Sequence, residues 1–193
     1  MSNGENILSK FINKLLPIFP EQQEDILEVA PPTDLQHLNF RYVFSVQAMT
    51  TISHIIEDFA MGNPGKADMH VSFQLISRFT DQAERYERLA YAVKGLWLYG
   101  AMDAPPPDLQ RTIIIDTGGT LLERYWFVIA YGPGIHMTLI AEEINPQPLP
   151  NTQRMYEGVY TFDPDLAYKA ISLLHLMYPE QVPNPLPPEL IEE

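Results

Sequence analysis

Apolar and polar positions follow two periods along this chain. Ile7, Leu8, Phe11, Ile12, Leu15, Leu16 and Phe19 recur at the spacing of one helix face, with Lys10 and Lys14 off it. ENILSKFINKLLPIF therefore predicts an amphipathic helix that Pro17 ends near Leu16. EQQEDILEV predicts a second short helix, closed off by Pro31 and Pro32. Residues 46–61 predict a third, with Ser45 as its N-cap and Gly62, Pro64 and Gly65 as its stop. The pattern then changes. HVSFQLI (70–76) predicts a strand, Thr80 caps a helix over 81–92, and VKGLWLYG (93–100) predicts a second strand. Strands follow at 111–116, 124–132, 135–143 and 156–162. Asp163 caps a last helix over about 164–178, with Pro164 in its first turn.

These elements predict a mixed α/β (α+β) fold: one β-sheet of five or six strands with helices packed against it. The strand-helix-strand unit at 70–100 predicts a right-handed parallel pair. The later strands, joined by glycine turns, predict antiparallel pairs. Three parts are expected: a helical extension over 1–45, one domain over 46–178, and a proline-rich acidic tail over 179–193 that is extended or disordered. The apolar stripe at 7–19 needs a cover, which points to packing on the domain, a homodimer through this helix, or a membrane surface.

Composition narrows the function. The net charge of −13 and the lack of a basic run argue against nucleic acid as a partner. With no cysteine, disulfides, thiolate catalysis and cysteine metal sites are all excluded. No apolar run has the length of a membrane span, and no secretory leader opens the chain, so a soluble cytoplasmic protein is expected.

MTTISHIIEDFAM (49–61) holds the most suggestive residues. On a helical wheel Met49, Ile52, Ile55, Ile56, Phe59 and Ala60 share one side. His54 and Asp58 fall on the far side, where they read as a solvated pair four residues apart. Ser53 and Glu57 fall at the border of the apolar face, placed to hydrogen-bond a neighbouring element or to edge a pocket. IIIDTGGT (113–120) resembles both the Asp-Thr-Gly loop of aspartic proteases and the phosphate loop of actin-like ATPases. A protease would need a homodimer to supply a second Asp116, and the chain is too short for two ATPase lobes. The simpler reading is a hairpin turn between strands. Arg78, Arg85 and Arg88 alternate with acids and read as a solvated face. The five histidines are scattered, with no metal-ligand spacing. A third reading is an assembly factor that docks through its N-terminal helix.

MTTISHIIED, SFQLISRFTDQAERYERLA, VKGLWLYGAMD, RYWFVIAYG, MTLIAEE and YEGVYTFDP, in that order over about 46–165, resemble the DICT sensory domain, named for diguanylate cyclases and two-component systems. Ser53 and Glu57 carry the resemblance, with Phe73, Gln74, Tyr86, Leu89, Trp126, Ala141, Glu142, Gly158 and Phe162. The resemblance implies a non-enzymatic, cyanobacterial-type sensory module in signal transduction, with a suggested role in light response. It implies no catalytic residue, no cofactor and no metal. No output segment follows residue 165, so a stand-alone version acting through a protein partner is expected. Ser53, Glu57, Gln74, Tyr86, Trp126 and Glu142 are the candidate ligand- or partner-binding residues.

Overall fold

A computed structural model describes residues 40–144 and 150–191. The helices expected in the first 39 residues, with any dimer contact through them, lie outside these ranges. Strand β1 (Phe40–Ser45) runs directly into helix α1 (Val46–Met61). Ser45 ends the strand and caps the helix, its hydroxyl accepting from Ala48 N at 3.1 Å. Strand β2 (Asp68–Leu75), a 3-10 helix (Ile76–Gln82), helix α2 (Ala83–Ala92) and strand β3 (Gly95–Ala101) follow. Then come β4 (Thr112–Asp116), β5 (Tyr125–Gly132), β6 (Ile135–Glu143), β7 (Met155–Thr161), helix α3 (Pro164–Met177) and a short helix α4 (Pro188–Ile191). Asp163 caps α3 by accepting from Asp165 N at 2.9 Å.

The strands form one mixed seven-stranded sheet in the order β1-β7-β6-β5-β2-β3-β4. β2, β3 and β4 run parallel, and the other neighbours are antiparallel. The seventh strand is β1, which the hydrophobic pattern left unmarked inside the N-terminal extension. It is six residues long and becomes helix without an intervening turn, so no punctuation announces it.

Two further expectations are corrected. Asp-Thr-Gly-Gly-Thr does turn the chain, with Thr120 N bonded to Thr117 O at 3.0 Å, but it does not join a hairpin. β4 is the sheet edge beside β3, and the chain crosses by a 3-10 helix (Leu121–Arg124) to reach β5, with β3 and β2 lying between the two. A turn sequence fixes local direction, while pairing depends on which strands bury which faces. Nor does Thr80 cap a helix: it sits inside the 3-10 segment, and α2 starts at Ala83 without a side-chain cap. The Gly132–Ile135 connection between β5 and β6 is a true hairpin.

Both faces of the sheet are covered. α1 and α2 pack on one face over Met69, Val71, Leu96, Leu98, Val128 and Leu139. α3 packs on the other over Tyr99, Phe127, Ile129 and Ile140. The tail is docked rather than loose. Val182 is wholly buried. Trp97 Nε1 donates to Gln181 O at 2.9 Å, Tyr131 donates its hydroxyl to Leu186 O at 2.8 Å, and His175 Nδ1 donates to Val182 O at 2.7 Å. Buried donors on the α3 face thus find their acceptors in the tail backbone. Among the described residues no helix is long and apolar enough to cross a membrane.

Candidate functional site

A cavity of about 190 Å³ opens between α1, the 3-10 segment with α2, and the sheet. It lies at the carboxyl end of β2, the strand that pairs parallel with β3 and antiparallel with β5. Ser53, Glu57, Tyr86 and Trp126 all line it.

The helical wheel placed Ser53 and Glu57 at a border, and the border is where α1 meets its neighbours. Ser53 Oγ donates to Met49 O at 2.7 Å and accepts from Trp126 Nε1 at 3.2 Å, which ties α1 to β5. Glu57 is almost fully buried. Its Oε1 accepts from the Tyr86 hydroxyl at 2.6 Å, and its Oε2 accepts from Arg85 Nε, which ties α1 to α2. Burial pushes the Glu57 carboxyl above its usual range, against the opposing pull of Tyr86 and Arg85. Burial also carries the Tyr86 phenol well above its ordinary value, and the Glu57 charge adds to this.

His54 and Asp58 do not pair with each other. Arg85 reaches between the helices and donates from Nη2 to Asp58 at 2.6 Å and to His54 O at 3.0 Å. His54 Nε2 lies 3.3 Å from Gln82 Oε1. Arg85 therefore leaves the solvated face that its sequence neighbours suggested, while Arg88 stays on it. A buried carboxylate on one helix draws in a cation from the next, a pairing that one helix's own periodicity cannot reveal.

Gln74 sits just behind the cavity wall. Phe73 is an extra residue in β2: Ser72 and Gln74 pair with the successive residues Tyr99 and Gly100 of β3. Gln74 adopts a left-handed backbone with φ of 62°. Its Oε1 accepts from Arg78 Nη1 at 2.5 Å, Arg154 Nη2 at 2.7 Å and the Tyr156 hydroxyl at 2.9 Å. Its Nε2 donates to Glu143 Oε2 and to Glu123 O, each at 3.1 Å. Arg154 also grips Glu143 with two bonds, at 2.7 and 2.9 Å, and donates to Tyr156. Although burial opposes it, this grip holds the Glu143 carboxyl below its usual range. Burial pushes Tyr156 up to about 12.

Glu142 does not join the group. In β6 it neighbours Glu143 and so points to the other face. There it pairs with Arg124 at 2.9 Å and accepts from the Tyr125 hydroxyl at 3.0 Å. The β6 carboxylate that joins the Gln74 cluster is Glu143. Arg78, read from the sequence as part of the solvated face, is half-buried in the cavity wall instead, and sequence reasoning passed over Arg154 and Tyr156. Only the spacing of Arg154 and Tyr156, two apart and therefore on one strand face, carried a signal.

Asp116 is exposed, and its Oδ1 accepts from Gly118 N at 2.8 Å, the local bond of a turn-initiating aspartate. Among the described residues no group of three or more His, Asp or Glu side chains is placed to hold a metal ion.

Residues 32–144 match the family model for DICT, described as a sensory domain in diguanylate cyclases and two-component systems. No curated protein and no solved structure matches the chain.

Proposed function

The chain belongs to the DICT family of sensory domains, and from that premise we propose that it signals by binding, without turnover, at the α1 cavity. The observation that carries this reading is that four of the six candidate residues, drawn from α1, α2 and β5, line one cavity. They also supply the bonds that hold α1 to its neighbours. An occupant touching Glu57 together with Ser53 or Trp126 would bear on both contacts of α1 at once. That is how a small molecule biases the position of a helix.

The hydrogen bonding supports a non-enzymatic role. Ser53 donates its proton to Met49 O and accepts from the Trp126 indole. Glu57 is held by Arg85 and Tyr86. Groups committed in this way are poor nucleophiles and poor bases. The output then passes to a protein partner in a two-component or second-messenger pathway in the cytoplasm, with light response among the inputs such a pathway serves. Self-association through the apolar stripe at 7–19 would give the module a dimeric readout.

The test is a thermal-shift panel of small metabolites and second messengers on wild type and Trp126→Ala, with mass spectrometry of each hit afterwards. The expected result is a compound that raises Tm of the wild type alone and is recovered unaltered. A compound consumed by the protein would make it an enzyme and overturn the reading.

A further inference from the structure

We infer that the occupant of this cavity is a small organic anion whose carboxylate or phosphate rests on Arg78, with Arg154 behind it, and whose apolar body lies against Val71, Phe73 and Trp126. The inference rests on the reading of the cavity as the binding site, and it supplies the ligand's chemical class.

Arg78 and Arg154 both line the cavity. Their guanidinium groups converge on one neutral oxygen, Gln74 Oε1, at 2.5 and 2.7 Å. Two cations brought together over one amide repel each other unless anions compensate them. One carboxylate joins the cluster, Glu143; its hydrogen bonds go to Arg154 and Gln74, and it acts on Arg78 only through its charge. Among the described residues, no carboxylate lies within ion-pair distance of Arg78. The other nearby acids have hydrogen-bond partners of their own or face water. Glu57 is held by Arg85 and Tyr86. Asp103 accepts from Ser77 N and Ser77 Oγ at 2.9 and 2.5 Å. Asp81 is exposed to water at the rim. Arg78 is thus a half-buried cation whose one short hydrogen bond goes to a neutral oxygen, while the charges of Glu143 and Asp103 act on it only from beyond ion-pair distance. Burial first, and then the charge of Arg154, hold its pKa below the usual arginine value. An anion would relieve both, and the planar guanidinium fork matches a carboxylate or phosphate edge.

The cluster is also built at some cost. Gln74 carries a left-handed backbone at a bulge, a conformation that persists only where surrounding contacts impose it. Its effect is to bring one carbonyl oxygen to both arginines.

Size limits the body of the ligand. A cavity of about 150 Å³ accepts benzene, so about 190 Å³ admits one six-membered ring with a carboxylate, and anything larger would have to extend out through the mouth. The net charge of −13 opposes any anion at long range, so the attraction must be local.

The test uses benzoate, phenyl phosphate and the neutral isostere benzamide. Binding is followed by the indole N–H resonance of Trp126, assigned with a Trp97→Phe protein. We expect benzoate or phenyl phosphate to move the Trp126 signal and to bind at least about tenfold more tightly than benzamide, as a charge-assisted bond implies. Whichever of the two binds more tightly identifies the headgroup. Arg78→Gln should erase the preference while keeping benzamide binding and a near-wild-type Tm. Equal binding of benzoate and benzamide, or an unaffected Arg78→Gln protein, would overturn the anion inference and leave the cavity reading standing. No response of Trp126 to any of the three would overturn both.

Discussion

The Tyr86 phenol donates to the buried carboxylate of Glu57 at 2.6 Å, and this bond closes α2 onto α1. Tyr86→Phe removes a donor to a carboxylate without opening a cavity, so a loss of about 2 kcal/mol is expected. Urea unfolding measures it.

Arg85→Met tests the other partner of that carboxylate. It leaves Glu57 buried with one fewer opposing charge, a change that typically costs about 3–5 kcal/mol. The pH dependence has a definite sign. The folded-state pKa of Glu57 is already raised, and losing Arg85 raises it further. Stability from such a group is complete below the unfolded value of 4.5 and is lost as pH rises through the folded value. The deficit of the variant should therefore be larger at pH 8 than at pH 5.

His70 predicts the opposite trend. It is buried, stacked on Trp97 at 4.6 Å and 2.9 Å from the Tyr99 hydroxyl, and burial lowers its pKa to about 3. The unfolded chain takes up this proton below 6.5 while the folded chain refuses it. From pH 6.5 to pH 4 the group should cost about 3 kcal/mol, at 1.36 kcal/mol per unit. A His70→Phe protein should lose less stability than wild type over that window.

Gly158 packs β7 against β6 so closely that a Cβ would sit 2.1 Å from Ile140 O and 2.4 Å from the Ala141 Cα. Both atoms are backbone and cannot yield as a side chain would. Gly158→Ala should cost at least about 3 kcal/mol, the top of the usual overpacking range, or prevent folding. Circular dichroism melts decide it.

Removing residues 179–193 takes away the acceptors of Trp97 and Tyr131 and the buried side chain of Val182. The combined loss is about 3–4 kcal/mol, or roughly 10 °C in Tm. Trp97 emission should shift to the red.

The elements were legible where a residue's role was local. Ser45 and Asp163 cap helices because each hydroxyl or carboxylate needs only the amides just beyond it. The border position of Ser53 and Glu57 followed from helix geometry alone. What was illegible depends on distant residues. Gln74 and Arg154 meet across 80 positions, and Arg85 turns inward only because Glu57 on another helix is buried. Asp116-Thr117-Gly118-Gly119 announces a turn but not the crossing that follows it, and Phe40–Ser45 becomes a strand because β7 offers an edge. Glu142 and Glu143 could be told apart only once the pleat was known.

The most direct measurement of the central claim is hydrogen–deuterium exchange on the protein with and without a small-molecule extract of its source cells. The account predicts slowed exchange confined to α1, the 3-10 segment and α2, lost in Trp126→Ala. Protection centred instead on the tail and α3, with α1 unchanged, would contradict it.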